Sequence, residues 1–173
     1  FHFNMYEGFS QMPSERKYKM MNTAQYQDYM RDYYTYAKLN NPDVNIHEQI
    51  LSNSDVNADW QDAIFRSAPT RSYELAASGG SDKTQYYTSI GYMQQGGILR
   101  NSNFNRLSAR INLDHQHSEK LRFSTSINLT RAMNERVQEE NSKEGPTKSG
   151  FFMAPNLPVY TADGSYNYDN VSL

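Results

Sequence analysis

Residues 106 to 131 read RLSARINLDHQHSEKLRFSTSINLTR, and two segments of this stretch alternate between apolar and polar side chains. A period of two is typical of a β-strand with one apolar and one polar face. The residues HSEK at 117–120 separate the two segments and suit a tight turn. The stretch therefore predicts a hairpin with strands at 103–116 and 120–131. The side chains on its apolar face are Leu107, Ala109, Ile111 and Leu113, followed by Leu121, Phe123, Thr125, Ile127 and Leu129.

Three further strands are predicted upstream, at 1–7, at about 69–79 and at 84–94, where the same alternation recurs. Their connections alternate in length: GGSDK at 79–83 is short, whereas QGGILRNSN at 95–103 is longer. The segments at 8–68 and from about 132 onward are longer still. Short turns on one rim and long loops on the other are typical of an outer-membrane barrel, because lipid offers the backbone no hydrogen-bond partner and a sheet can span it only by closing.

The predicted fold class is therefore all-β: antiparallel up-and-down strands of a membrane β-barrel, with short helices in a long extracellular loop. The apolar face would then meet lipid. In the alternative interpretation a second sheet covers that face, as in a soluble cell-surface β-sandwich binding module.

Two helices are predicted in the long first connection. The first covers 22–39, with Asn22 or Thr23 as its N-cap and Gln25 near the capping-box position. The second covers 57–66 and presents Trp60, Ile64 and Phe65. On the first helix, one face is expected to carry Tyr26, Tyr29, Met30, Tyr33 and Tyr36 or Ala37.

Composition narrows the possible functions. The chain has 173 residues, of which 37% are hydrophobic and 13% aromatic, and its mean hydropathy is -0.87, so a large core of its own is not expected. A net charge of -2 gives no basic surface for nucleic acid. The absence of cysteine excludes disulfides and thiolate metal sites. No apolar run is long enough for a transmembrane helix, and nothing points to a cofactor.

Several polar clusters have a structural and a functional interpretation. His115 and His117 could hold a metal, but a solvated strand end is favoured and no metal site is predicted. Asp163, Asp169 and Asn170 could bind calcium, yet a hairpin turn at Asp163 and Gly164 fits the spacing better. A glycan hydrolase would need a pair of carboxylates that flank a cleft. Three glutamates cluster in one predicted loop, but nothing in the sequence indicates such a pair. No catalytic residue is therefore predicted, and an enzyme ranks below the transporter and the binding module. The three glutamates are Glu135, Glu139 and Glu140.

Three blocks of the sequence, in this order, resemble SusC/RagA-type TonB-dependent outer-membrane transporters of Bacteroidota. KMMNTAQYQDYM at 19–30 resembles the helix that follows the first barrel strand of that family. Residues 59–131, from DWQDAIFR to SINLTR, look like its early barrel, and PNLPVYTADGSY at 155–166 resembles a later loop.

The resemblance implies that the chain is the first part, about five strands, of a barrel of about 22 strands. Signal peptide, TonB box, plug and the remaining strands are then expected outside residues 1–173. The implied function is import of a bulky nutrient, a glycan or a peptide, across the outer membrane. The implied partners are membrane lipid, a SusD-like lipoprotein, and TonB through a region outside this chain.

Two sets of residues are predicted to carry contacts of such a transporter. Phe151, Phe152 and Tyr160 lie in the late aromatic loop and are expected to face substrate or partner. Arg106, Arg110 and Arg122 lie on the polar face of the strands and are expected to face the lumen, where pairing with the plug or plain solvation is favoured over contact with cargo.

Overall fold

The computed structural model describes residues 1–44, 55–137 and 145–167, and the chain divides into two compact units. The first unit comprises Phe1–Met12 and Arg66–Val137 and holds a five-stranded sheet. The second comprises Pro13–Phe65 and Gln138–Leu173, and its described residues hold the helices.

The sheet is an antiparallel meander in which every strand pairs with the next one in sequence. This confirms the predicted up-and-down order. The backbone pairing continues beyond the apolar pattern that predicted each strand, for example where Glu135 pairs with Asn103, so the strands are longer than expected. Their bounds are β1 His2–Ser10, β2 Ala68–Gly80, β3 Thr84–Gly96, β4 Asn103–Ser118 and β5 Leu121–Glu135.

The register aligns like with like across the whole sheet. One row on the apolar face consists of Phe3, Leu75, Ile90, Ala109 and Leu129, each opposite the next. In the adjacent row of cross-strand pairs, the opposite face carries Asn4, Glu74, Gly91, Ser108 and Thr130. The alternation in the sequence is therefore realised as two faces of opposite chemistry.

The apolar face is open. Ile90 is 53% exposed and Leu129 is 63% exposed, values typical of side chains with no layer above them. Within the described ranges all five strands belong to one sheet, and no second sheet covers it. None of the helices described is long and apolar enough to cross a membrane.

Arg66 anchors the connection between β3 and β4. Its guanidinium donates to the carbonyl oxygens of Gly97 at 3.1 Å and Ser102 at 3.0 Å, and to Oδ1 of Asn103 at 2.9 Å. Its backbone N–H donates to the carbonyl of Ile98 at 2.8 Å. One half-buried side chain thus satisfies three acceptors of a connection that would otherwise depend on its own backbone.

In the second unit, α1 spans Thr23–Asn40, α2 spans Trp60–Ile64 and α3 spans Pro146–Phe152. The predicted N-cap of α1 is confirmed: Asn22 accepts from the Gln25 N–H at 2.9 Å, and the Gln25 side chain accepts from the Asn22 N–H at 3.1 Å. This capping box satisfies two backbone donors that helix geometry leaves unpaired.

The tyrosine face predicted for α1 is largely open to solvent: Tyr29, Tyr33 and Tyr36 are exposed, whereas the buried side chains of this helix are Thr23, Gln27 and Tyr34. The second helix is shorter than 57–66, because Asp59 caps it at its start and Phe65 is already extended.

Replacing Arg66 by Lys should loosen the β3–β4 connection, because an ammonium cannot reproduce the planar fork that reaches three acceptors at once. We expect a loss of about 1–3 kcal/mol in local stability. Hydrogen exchange of the Gly97 and Ser102 amides in the intact gene product measures it. Arg71→Lys is the control, since Arg71 only approaches Glu7, at 3.9 Å. Equal exchange in both variants would contradict the anchoring role.

Candidate functional site

The second unit contains a cleft of about 730 Å³. Three segments of the chain form its walls: 18–22 with Tyr26, 57–61, and 150–155. Half of the lining residues are aromatic or methionine. The first and last of the lining residues, Tyr18 and Pro155, are more than a hundred positions apart in sequence. The aromatic members are Tyr18, Tyr26, Trp60, Phe151 and Phe152, and the methionines are Met20, Met21 and Met153.

Hydrogen bonds between distant segments hold the walls together. The side-chain amide of Gln61, which is buried, donates to the Tyr18 carbonyl at 2.8 Å and accepts from the Tyr18 N–H at 3.1 Å. The Trp60 indole N–H donates to the Ala154 carbonyl at 3.0 Å, and the Ala58 N–H donates to the Pro155 carbonyl at 2.7 Å. Because buried polar groups are costly unless paired, these bonds fix the relative position of the three segments.

Helices α2 and α3 approach closely at Gly150. A Cβ added there would lie 2.5 Å from Ile64 Cδ1 and 3.2 Å from Ile64 Cγ1. The absence of a side chain at this position therefore lets α3 pack against α2. This contact sets the spacing between the Trp60 wall and the wall that carries Phe151.

The two predicted phenylalanines meet at this cleft. Phe151 is half-buried and packs edge to face with Tyr18, with ring centroids 5.2 Å apart. Phe152 lines the same cleft but is 84% exposed, so its ring is available for contact. The site assignment from sequence did not include Trp60. The sequence did contain a feature that could have identified it, because Trp60 is the only tryptophan of the chain and directly follows Asp59, which caps α2.

The charges around the cleft are partly neutralised. Asp59 Oδ1 accepts from the backbone N–H groups of Gln61 at 2.9 Å and Asp62 at 3.2 Å. Lys17 pairs with Asp62, and this hydrogen bond raises the pKa of the lysine. Burial raises the pKa of Tyr26 above its usual value. Lys19 and Asp59 are the charged side chains among the lining residues that the structure describes.

Tyr160 lies elsewhere, in a small hairpin that is separate from the cleft lining. It forms a β-bridge with Tyr166, and the two rings are 5.3 Å apart. Gly164 occupies the turn with φ +85°, a conformation that favours glycine. The predicted turn at Asp163 and Gly164 is thereby confirmed, whereas Asp169 and Asn170 lie outside the described residues.

Asp163 organises this turn. Its carboxylate accepts from the Thr161 hydroxyl, from the Ser165 hydroxyl at 2.8 Å and from the Ser165 N–H at 3.1 Å. Hydrogen bonds to the charged form stabilise it. They lower the pKa of Asp163 from 3.8 to about 2, with the Thr161 bond contributing most.

The three arginines lie on the polar face of the sheet. Arg122 makes a two-pronged contact with Asp114 at 2.7 and 2.6 Å, and Arg110 donates to Asn128 Oδ1 at 2.7 Å. Arg106 reaches the sulfur of Met93 at 3.7 Å. All three are exposed. Arg122 thus already has a carboxylate partner in its own sheet, and its pairing with a plug stays a prediction.

The histidines and the one described glutamate that were considered as metal or catalytic residues contact neighbouring side chains. His115 Nδ1 lies 2.8 Å from the Thr84 hydroxyl, and its ring centroid is 6.2 Å from that of His117. Glu135 accepts from the Asn103 amide at 3.0 Å. Glu139 and Glu140 fall outside the described residues.

Comparisons with known proteins identify relatives. No protein-family model matches the chain. It is 31% identical over 120 residues to TonB-dependent receptor P3 of Formosa agariphila, a match that covers 66% of this chain and 12% of that protein. It is also 31% identical over 113 residues to TonB-dependent receptor SusC of Bacteroides thetaiotaomicron, covering 65% of this chain and 11% of that protein. The chain therefore spans only a small part of the length of these relatives.

A solved structure shares the fold. The structure of the RagAB peptide transporter superposes with a TM-score of 0.72 at 22% sequence identity. The superposition covers 95% of this chain and 21% of the RagAB chain.

Gly150→Ala should strain the contact between α2 and α3, because the new methyl overlaps Ile64. We expect a local destabilisation of no more than about 1 kcal/mol, because the overlapping atom ends a flexible side chain and alanine favours a helix over glycine. Hydrogen exchange of the Ala58 amide, which bonds across the cleft, reports it. In the Ile64→Ala background the same change should cost much less, and additive costs would contradict the close contact.

The Asp163 carboxyl should titrate near pH 2. Since its folded pKa is lowered, its contribution to the hairpin is complete above pH 3.8 and is lost as the pH falls through about 2. The carboxyl carbon shift, followed by NMR in selectively labelled protein, gives the midpoint. Thr161→Val should move that midpoint upward, and an ordinary midpoint in the unmodified protein would refute the assignment.

Proposed function

Because the chain belongs to the SusC/RagA family of TonB-dependent receptors, we propose that its sheet is part of an outer-membrane β-barrel that imports a bulky nutrient. The main support is the open apolar face, on which Leu75, Ile90 and Ile111 are each about half exposed. An apolar surface that extends over five strands requires a cover. Hydrocarbon supplies one without any further protein layer.

Tyrosines lie near both ends of the apolar face, where the two edges of a membrane's apolar band would be. Tyr73 and Tyr92 are cross-strand partners toward one end, and Tyr86 lies six residues from Tyr92 on the same strand. Six residues span about 20 Å along a strand. That length is comparable to the apolar band of outer-membrane barrels, about 25 Å tall and flanked by aromatic girdles. Amphipathic rings suit such boundaries.

The connection lengths support an orientation. Residues 81–83 and 119–120 join strands at one end of the sheet and would face the periplasm. The connections at 11–67 and 97–102, and the segment after Glu135, would be extracellular. The polar face, with Arg106, Arg110 and Arg122, would line the lumen and meet a plug.

Membership of the family supports a proposal for the assembly. A SusD-like lipoprotein would cover the extracellular side, and Phe151, Phe152 and Tyr160 would contact it or the cargo. TonB would act through a region outside this chain. The cargo would be a glycan or a peptide; among the relatives, RagAB is a peptide transporter. Import would proceed by rearrangement of the plug and without covalent chemistry, in keeping with relatives that are receptors and transporters.

The second candidate, a soluble cell-surface β-sandwich, needs a second sheet over the apolar face. Among the residues that the structure describes, the strands of the first unit form one sheet only. The barrel is therefore the better-supported function.

Ile127→Arg in the intact gene product tests the barrel. Ile127 pairs with Ile111 in the middle of the apolar face. An arginine facing hydrocarbon near the midplane should cost about 2–4 kcal/mol of folding free energy in lipid bilayers. The measurement is reversible denaturant unfolding from vesicles of defined lipid.

The matched control is Ser126→Arg, one residue away on the polar face. It should cost far less, because its side chain would enter a wetted lumen. Equal costs at the two positions, or a gene product that stays soluble and monomeric without lipid, would overturn the proposal.

A further inference from the structure

We infer that the cleft of the second unit binds an apolar or aromatic side chain of a short peptide, with a carboxylate of that peptide at Lys19. The inference deepens the proposed import function, on which the role of the peptide as cargo rests. Binding itself depends only on the cleft. Of the two cargo classes, glycan and peptide, the chemistry of the walls favours the peptide.

The walls are suited to apolar side chains of varied shape. The cleft volume of about 730 Å³ is within the range of small-ligand sites, about 300–1,000 Å³. Methionines adapt to different partners because the thioether side chain is flexible and polarizable. Met20, Met21 and Met153 line this cleft together with its aromatic rings. Phe152, which is 84% exposed, offers an accessible ring.

Several polar side chains of the walls are already engaged in holding the cleft together. Asp59 caps α2, and the Gln61 amide is paired with the Tyr18 backbone. Asn57 Oδ1 accepts from the Thr23 N–H at 3.0 Å, and the Trp60 indole N–H bonds to Ala154.

A sugar ring brings many hydroxyl groups, and each one that loses water without gaining a partner costs binding energy. An apolar side chain has no such requirement. Since the polar groups of Asp59, Gln61 and Trp60 are already bonded and half of the lining residues are aromatic or methionine, a peptide side chain fits the cleft better than a glycan does.

The charge at the rim indicates what accompanies the side chain. Lys17 is paired with Asp62, whereas Lys19 is exposed and has no ion-pair partner within residues 1–44, 55–137 and 145–167. Asp59 directs its charge to backbone N–H groups of α2. The cleft therefore presents one available cation beside an apolar pocket, which complements a carboxylate next to an apolar side chain, as at a peptide C-terminus.

Calorimetric titration of the intact gene product in detergent tests the inference. The probes are acetyl-Ala-Phe-Ala with a free carboxylate, the same peptide amidated, acetyl-Ala-Ser-Ala and maltotriose. We expect the phenylalanine peptide to bind about tenfold more tightly than the serine peptide. Amidation should weaken binding about threefold, the scale of an exposed ion pair.

Two variants and a matched control assign that binding to the cleft. Phe152→Ser should weaken binding of the phenylalanine peptide by about tenfold and, because the ring is exposed, should leave the fold intact. Lys19→Gln should remove the difference between the free and amidated peptides. Tyr36→Ser changes an exposed aromatic residue of α1 that does not line the cleft, and it should leave the dissociation constant unchanged.

The inference is overturned if maltotriose binds as tightly as the peptide, if no probe peptide binds, or if Phe152→Ser and Tyr36→Ser behave alike. These outcomes are independent of the bilayer measurement on Ile127. A protein that folds in vesicles as proposed but binds no peptide rejects only this inference. A protein that binds peptide through Phe152 but shows no lipid preference rejects only the import proposal.

Discussion

The register of the strands is the constraint on which the sheet depends. Because side chains alternate between faces, a slip of one residue in any pair would exchange the apolar and polar rows. Both faces favour the same alignment. Ile111 lies opposite Ile127 on one side, and on the other Asn112 accepts a hydrogen bond from its partner Ser126 at 2.9 Å. Cross-strand pairs of this kind each contribute a fraction of a kcal/mol up to about 1 kcal/mol, and here they act together.

The two units obtain their order in different ways. The sheet is held by backbone hydrogen bonds between strands, and its apolar face remains exposed. The low mean hydropathy of the chain agrees with this, because it predicted that the chain has no large core of its own. The second unit relies on specific hydrogen bonds and one tight helix contact. Its buried side chains include the polar Gln61 and Asn156 beside Ala154. Hydrogen bonds between polar groups therefore hold the cleft together, while half of the residues that line it are aromatic or methionine.

Local patterns in the sequence predicted the strands, the turns and the Asn22 cap, because each depends on residues close in sequence. The buried side of α1 could not be predicted in this way, since tyrosine is amphipathic and the real buried side includes Gln27. The cleft could not be predicted from local patterns either. Its key bond joins Trp60 to Ala154, 94 positions away. Phe151 and Phe152 were predicted as contact residues from their place in an aromatic-rich loop, and that role stays a prediction. Their neighbours in the fold depend on tertiary contacts.

The unequal connections of the meander also bear on the order in which it assembles. The connections within β2–β5 are short, so these strands can pair soon after one another with little loss of chain entropy. Strand β1 precedes them in sequence but reaches its partner only across residues 11–67. Its docking therefore requires the most distant closure in the sheet. We expect the edge of β2 to stay unpaired until β1 reaches it, so that among these five strands the first in sequence is the last to pair.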